Sequence, residues 1–507
     1  MTALNALTWL LVLPLVASAV IYVAGRVSVR GGGSAAPARW LAALTMLASG
    51  GLLYRAGQGT LAGEPMRLVF GQVSLHLDGI GLLLGATVVV LTFLVTIFSM
   101  PYMAGEVGEE KYYALLTAMM GTMIGLGTAS DLFNLWVWFE AMAISSYMLV
   151  AFYREQRGSL EAGIKYLVQS AVGSAFVLLG IAIVFSVTGT LDLEGIRQAT
   201  TSVQPMMLAA GALFLIGFGV KTAIVPLHTW LPDAHSQAPS GISAMLSGVV
   251  IETGLVAMLR SLSALTPAHA SWGGLLLAFG AASMIVGNLM ALRQTQVKRL
   301  LAYSSVSHIG YMLLGFGVAV GFGLQHGAAG GFFHLITHSL MKGLAFLAAG
   351  SLLYALHISK GSHSALTVDD LNGAANRYPL TAIALSVAVL ALGGLPPLAG
   401  FMSKWQIFVA GFETHNSTVQ ALVVFAALNS VLSLGYYAPL VNRMYRHEPS
   451  EAVKNGQPMS FLLLAPIAVL MLAVIALGFW PGMVDWITGP AASALVSTLS
   501  SGVMASN

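Results

Sequence analysis

Long apolar stretches, separated by short polar loops, recur along the whole chain. Fourteen stretches are long enough to cross a bilayer as helices, since a helical span needs about 20 mainly apolar residues. They lie at roughly 6–25, 40–54, 80–100, 112–129, 132–153, 164–189, 206–231, 241–263, 273–292, 300–320, 328–356, 378–410, 418–442 and 460–484. The pattern predicts an all-α polytopic membrane protein, with a single transmembrane domain over residues 1–507 and no inserted soluble domain.

The polar segment 56–79 interrupts this pattern. It contains Gly57, Gly59 and Gly63 and the alternating sequence QVSLHLD, which is typical of a short strand with one buried face. We therefore expect a small extracytoplasmic β-hairpin between the second and third spans.

Basic residues predict the orientation of the chain. Arg26 and Arg30 follow the first apolar stretch rather than precede it, which indicates a retained helix with the N-terminus outside rather than a signal peptide. With that orientation, the inner loops hold 15 of the 22 lysines and arginines, and the outer side holds 4. An even number of spans also places the C-terminus outside.

Composition excludes several classes of protein. The chain is 57% hydrophobic and 8% charged, against about 25% charged in ordinary soluble domains. Its net charge of +3 does not indicate nucleic-acid binding. The chain has no cysteine, which excludes disulfides, cysteine-ligated iron–sulfur clusters and zinc–thiolate sites. Neither a dinucleotide-binding fingerprint nor a P-loop is present.

Five charged side chains fall inside predicted spans: Glu140, Lys221, Glu252, Lys342 and Lys404. A charge at the centre of a spanning helix costs about 2.5–3.5 kcal/mol on insertion scales, and such residues commonly mark ion pathways. A structural ion pair between Glu140 and one lysine is the simpler alternative, but it leaves the other groups unexplained. Buried acids and amines can shift towards their neutral forms, which suits them to proton transfer.

Histidines accompany the second group of charges. His334, His338 and Lys342 are spaced by four, so they share one face of a helix, and His308 lies in the preceding span. The spacing offers no third metal ligand, so we expect no metal site; a packing role for a single histidine is the other alternative. A line of titratable groups ending in lysine favours a proton path.

Two of the charged spans are interrupted. Pro226 and Pro232 follow Lys221, and the sequence GGLPP precedes Lys404. Broken helices in the membrane are tolerated where they line a wet or protein-buried cavity. A pair of them in corresponding halves indicates an internal repeat with the ion site at the breaks.

Four sequences carry a resemblance to a known family: KTAIVPLHTWLPDAHSQAPSGISAMLSGVV, ALRQTQVKRLLAYSSVSHIGYMLLG, FFHLITHSLMKGLAFLAAGSLLY and LGGLPPLAGFMSKW. They resemble the antiporter-like membrane subunits of respiratory complex I, the D-type subunit of Mrp sodium/proton antiporters and membrane subunits of energy-converting hydrogenases. The resemblance implies 14 helices in two inverted five-helix repeats, helices 4–8 (residues 112–263) and 9–13 (residues 273–442). It also implies that helices 7 and 12 are broken.

The same resemblance implies roles for particular residues. Glu140 matches a glutamate that pairs with the lysine at Lys221, and His308, His334 and His338 match a central polar axis that leads to Lys404. Glu252 is a departure, because the family usually has a lysine there, in a context like GVVxKTG, whereas this chain reads GVVIETG. Two interpretations stay open: Glu252 carries the proton itself, or the chain is a divergent coupling subunit in which Glu252 is fixed beside a cation.

The expected function is that of a proton- or sodium-translocating subunit of a complex I-like NADH:quinone oxidoreductase or a related redox-driven complex in the cell inner (plasma) membrane. The alternatives are a D-type Mrp subunit, a membrane subunit of an energy-converting hydrogenase, and a structural scaffold with an inactive relay. No redox chemistry is expected in this chain, so iron–sulfur clusters, flavin or a nickel–iron site would belong to partner subunits. The expected partners are other membrane subunits, including antiporter-like homologues, together with protons or sodium ions and the lipid bilayer.

Overall fold

The computed structural model describes residues 3–70, 73–200, 202–265 and 269–500. In these residues the long helices are α1 (Ala3–Arg30), α2 (Ala36–Leu61), α3 (Gly79–Tyr102), α4 (Glu109–Thr128), α5 (Leu132–Val150), α6 (Arg157–Thr188), α8 (Pro205–Thr222), α11 (Ile251–Ser263), α12 (His269–Ala291), α13 (Val297–Phe322), α14 (Gln325–Leu356), α15 (Pro379–Gly393), α16 (Ala399–Glu413), α17 (Ser417–Arg446), α19 (Phe461–Phe479) and α20 (Asp485–Ser500). Short helices are α7 (Leu193–Ala199), α9 (Trp230–Gln237), α10 (Ser240–Met245) and α18 (Glu451–Lys454).

The helical membrane architecture predicted from the apolar pattern is confirmed. In the described part of the chain, 11 spans are long and apolar enough to cross a membrane, or up to 12 if the bent pair Asp369–Asn376 and Pro379–Gly393 forms one span. The other predicted spans are also helical: 40–54 lies in α2, 112–129 lies in α4, and 378–410 is divided between α15 and α16. The total of 14 spans and the division into repeats 112–263 and 273–442 stay predictions.

Both predicted helix breaks are present. The helix α8 ends at Thr222, because Ala223 adopts a left-handed conformation with φ 58°, and α9 begins only at Trp230. The helix α15 ends at Gly393, where Gly394 adopts φ 79°, and α16 begins at Ala399. Such breaks leave backbone carbonyls that need new donors, and side chains supply them in both places.

The span 240–263 lies at the centre of the molecule and is fully buried. Between α10 and α11 it contains a π-helical turn, Leu246–Val250, which ends two residues before Glu252. Extra residues of this kind are frequent at functional sites, because they rotate the side chains that follow.

The predicted hairpin is confirmed: strands β1 (Met66–Phe70) and β2 (Val73–Leu77) pair antiparallel, with Arg67 opposite His76. The last predicted span, 460–484, corresponds to α19 (Phe461–Phe479) and runs five residues past its end. The chain then makes a short turn at Pro481–Val484 and forms a further helix, α20, which was not predicted. Gln325, at the start of α14, donates a hydrogen bond of 2.9 Å to Ser493 of α20.

Candidate functional site

Lys221 lies at the end of α8, with 1% of its surface exposed. Its amine donates to the hydroxyl of Tyr166 at 2.7 Å and to the hydroxyl of Ser146 at 3.3 Å. The amine also lies 4.6 Å from the centre of the Tyr166 ring, and that ring stacks on Trp230 at 3.9 Å. Trp230 in turn donates to the carbonyl of Val220 in the last turn of α8, which also accepts from the backbone N–H of Ala223 at the break. The break and the lysine are therefore stabilised by the same stacked rings.

Glu140 lies near Lys221 without contacting it directly. The two side chains form no ion pair within 4.0 Å, and the amine of Lys221 donates instead to the Ser146 and Tyr166 hydroxyls. Glu140 lies half-buried on a stripe of α5 that exposes Val137 and Ile144, and its Oε1 is buried without a hydrogen-bond partner. Glu140 lies within electrostatic range of Lys221, and the pairing of the two residues stays a prediction.

Glu252 has a partner inside this chain. Its Oε1 lies 2.7 Å from Nδ1 of His338, and both side chains are completely buried. This contact joins α11 to α14 across the centre of the molecule. The second carboxylate oxygen, Oε2, and the second ring nitrogen of His338, Nε2, have no hydrogen-bond partner. An acid–imidazole pair with one free atom on each side is able to accept and pass on a proton.

The three predicted histidines form a stack. The rings of His338 and His308 lie 5.2 Å apart between their centres, and His308 Nδ1 lies 3.1 Å from His334 Nε2. The other ring nitrogen of His334 is 2.8 Å from the hydroxyl of Ser403. The structure thus brings together Glu252, the three histidines and the residue preceding Lys404 in one buried line. The step between His338 and His308 is a ring stack without a direct hydrogen bond.

Lys404 ends this line at the second break. Its amine donates to the carbonyl of Leu392 at 2.9 Å and to Ser430 at 2.8 Å, and it lies 4.4 Å from the centre of the Tyr311 ring. Leu392 belongs to the last turn of α15, whose carbonyls lose their helical donors at the break. The broken helix therefore supplies a dipole to the lysine where the sequence supplies no carboxylate.

Lys342 lies on the same helix as the histidines but points to another neighbour. Its amine donates to the carbonyl of Leu301 at 2.8 Å and contacts the hydroxyl of Ser304, both on α13. The side chain is completely buried. The i, i+4 spacing placed His334, His338 and Lys342 on one face correctly, and all three contact α13. Only the histidines also reach further helices: His338 contacts Glu252 of α11, and His334 contacts Ser403 of α16.

Two buried basic groups escaped the sequence analysis. Lys298, assigned to an inner loop, is only 7% exposed and donates to the carbonyl of Ala238. His235 is completely buried against Phe346, with ring centres 4.6 Å apart, and neither ring nitrogen has a partner. It lies within electrostatic range of both Lys298 and Lys342. The position of His235 directly after the first break was the signal that could have identified it.

Asp233, which follows the first break, forms ion pairs with both neighbouring helices. It accepts from Lys165 of α6 at 3.0 Å and from Arg299 of α13 at 2.6 Å. Burial raises the pKa of Asp233, but the hydrogen bonds from Arg299 and Lys165 outweigh it and hold the pKa below its ordinary value. The carboxylate therefore stays ionised and joins α6, α9 and α13 near one face of the molecule.

The assembled site consists of amines, imidazoles, carboxyls and hydroxyls, all of which bind and release protons. Within the residues that the structure describes, no group of three or more His, Cys, Asp or Glu side chains is arranged to hold a metal ion. The arrangement suits stepwise proton transfer along the length of the molecule.

Comparisons with known proteins agree with this geometry. A family model described as "NADH:quinone oxidoreductase/Mrp antiporter, TM" matches residues 129–432. The chain is 34% identical to F(420)H(2) dehydrogenase subunit N of Methanosarcina mazei, over 83% of this chain and 85% of that protein. It is 32% identical to NADH-quinone oxidoreductase subunit N of Deinococcus radiodurans, over 82% and 83% of the two chains. A subunit of the membrane-bound sulfane sulfur reductase, an archaeal respiratory membrane complex, superposes with a TM-score of 0.86 at 28% identity, covering 98% of this chain and 99% of that one.

Proposed function

Because this chain belongs to the NADH:quinone oxidoreductase/Mrp antiporter transmembrane family, we propose that it translocates protons through its buried line of titratable side chains. The family resemblance carried by the sequence motifs is confirmed. The chain would act as an antiporter-like subunit of a multisubunit respiratory-type complex, alongside other membrane subunits, as its relatives and structural neighbours do. Electron transfer would take place in partner subunits that hold the iron–sulfur, flavin or nickel–iron centres.

One observation carries the proposal. The contacts Glu252–His338, His308–His334 and His334–Ser403 are 2.7, 3.1 and 2.8 Å long, and the line ends beside Lys404 at a helix break. A purely structural ion pair requires two groups, whereas this line places five protonatable side chains in succession inside a membrane protein. Placing charged groups of this kind in a membrane costs free energy, and those that are found there commonly mark ion pathways.

The two halves would carry different parts of the path. Lys221, with its hydroxyl partners and the nearby Glu140, would load protons in the first half, and Glu252 would pass them to the histidines and Lys404. Lys342 would be a side branch of the second half. Glu252 thus takes the place of the usual family lysine as the link between the halves. We also place the basic loops on the cytoplasmic side of the inner membrane and both termini on the other side, from the distribution of lysine and arginine.

The test uses the whole complex, purified in mild detergent and reconstituted in vesicles. Lys404→Ala should abolish proton uptake, measured with a pH-sensitive dye, while Lys111→Ala, in the first turn of α4, should leave uptake unchanged. Repeating the assay with and without sodium identifies the ion. Proteins that copurify separate a redox complex from a D-type Mrp assembly. Native uptake by a fully assembled Lys404→Ala complex would favour the scaffold alternative instead.

A further inference from the structure

A small cavity lies at the face where the loops 103–108, 151–156, 292–296 and 357–378 emerge. This face is called the basic face, because the last three loops carry Arg154, Arg293, Lys360 and Arg377. Its volume is about 30 Å³, and it is lined by Tyr102, Tyr153, Gln156, Lys298 and His363 among others. A water molecule needs about 10–15 Å³ measured in this way, together with polar partners. The cavity therefore has room for water and for the polar contacts that hold it.

The rim of the cavity carries a titratable pair. His363 Nε2 lies 3.8 Å from Glu106 Oε1, and the side chains are 31% and 22% exposed. The His363 ring also packs on Tyr153, with ring centres 4.7 Å apart. Burial raises the pKa of Glu106, the nearby His363 lowers it, and Glu109 raises it, so the pKa lies above the ordinary value. Both members of the pair are in contact with water and can exchange protons with it.

The floor of the cavity is Lys298, which is otherwise buried. Its amine is held by the Ala238 carbonyl, and Leu301, three residues further along α13, holds the amine of Lys342. His235, with two unpartnered ring nitrogens, lies within electrostatic range of both lysines. Buried basic groups thus extend from Lys298 at the cavity floor to Lys342 on α14, the helix that also carries His334 and His338.

We propose that this cavity is a proton entry from the basic face into the second half, with Glu106 and His363 at its mouth and Lys298 as the first buried acceptor. The inference rests on the proposed translocation function. In the first step a hydronium ion in the cavity gives its proton to the neutral amine of Lys298: an O–H bond breaks, an N–H bond forms and water remains. In the next step the ammonium returns to the amine as His235 or Lys342 takes the proton. No electrons are exchanged.

Substitutions at the floor and mouth test the proposal in the reconstituted complex. Lys298→Met should lower proton uptake at least tenfold, and His363→Gln should lower it severalfold, with the complex still assembled. His326→Gln is the matched control, since His326 forms a similar pair with Glu413 elsewhere on the molecule, at 2.8 Å, and it should transport normally.

Chemical blocking gives a second test that does not depend on the lysine. The chain has no cysteine, so Gln156→Cys places a single thiol of this chain in the cavity wall. A membrane-impermeant cationic thiol reagent added on the basic side should stop uptake by Gln156→Cys, and a reducing agent should restore it. Lys360→Cys, exposed on the neighbouring loop, and the cysteine-free parent chain are the controls and should keep their uptake.

The experiments distinguish a failure of the translocation function from a failure of the entry site. If Lys404→Ala and Lys298→Met both transport normally, the translocation function itself is refuted. If Lys404→Ala stops uptake while Lys298→Met and blocked Gln156→Cys transport at the parent rate, the entry site alone is refuted. Should Lys298→Met prevent assembly, the blocked Gln156→Cys variant decides the matter.

Discussion

Glu252→Gln is the sharpest perturbation that the structure offers. The substitution keeps the size of the side chain and its Oε1 acceptor, so the 2.7 Å contact with His338 can persist as an amide hydrogen bond. It removes only the capacity to bind and release a proton. Oε2 has no partner in the parent chain, and the new amide nitrogen therefore replaces one unpartnered group by another.

Glu252→Gln is expected to change the stability of the complex only slightly and the rate of proton uptake strongly. A hydrogen bond to a charged group contributes about 1.5–3 kcal/mol and a neutral one about 0.5–1.5 kcal/mol, so the substitution costs about 1 kcal/mol of stability. The complex should therefore assemble in normal yield. A positioned acid–base group accelerates proton transfer by about 10²–10⁴-fold. We accordingly expect proton uptake in reconstituted vesicles to fall by about 100-fold or more.

Two further variants make the outcome decisive. Glu413→Gln makes the same chemical change in the exposed pair with His326 and should transport normally. Glu252→Lys restores the residue usual in the family and should retain uptake, because an amine also carries a proton across the link. Parent-level uptake by Glu252→Gln, together with failed assembly of Glu252→Lys, would show that Glu252 is a structural acid and would refute the relay.

Three other variants test the first half and its support. Lys221→Ala should abolish proton uptake. The complex should still assemble, as judged by copurified subunits, because the Tyr166 and Ser146 hydroxyls still bond to each other at 2.9 Å. Tyr166→Phe removes the 2.7 Å bond to the amine, costs about 1 kcal/mol, and should slow uptake about fivefold in the same vesicle assay. Asp233→Asn weakens two partly exposed ion pairs, each contributing up to about 1 kcal/mol. It should lower the melting temperature of the complex by a few degrees and leave uptake measurable.

The apolar pattern, the glycines and the prolines predicted the long helices up to α19 and both breaks, but not α20. The i, i+4 spacing also placed His334, His338 and Lys342 correctly on one face of α14. What these side chains contact depends on how neighbouring helices rotate and pack, and a single sequence carries no direct signal for that. Glu252 and His338, for example, are 86 positions apart.

The differences between the sequence analysis and the structure at particular residues also have physical reasons. Lys298 lies at the first turn of α13, where a basic residue normally marks a loop, yet loops 151–156 and 357–378 pack over it and bury it. The family resemblance implies that Glu140 pairs with Lys221, but it does not predict that the Ser146 and Tyr166 hydroxyls hold the amine. Periodicity predicts which residues share a helix face but not which neighbour that face meets.

The backbone carbonyl that accepts the hydrogen bond from Lys404 affects how many protons the buried line can hold at once. A carbonyl and a hydroxyl stabilise the ammonium but do not neutralise it, so each proton that arrives adds a full positive charge to the interior. Like charges 4 Å apart repel by about 4 kcal/mol at an effective dielectric constant of 20. Around His308, His334, His338, Lys342 and Lys404, the one carboxylate that contacts the group in the described residues is Glu252. If the line translocates protons as proposed, we therefore expect a second proton to enter only after the first has left, so that protons pass one at a time.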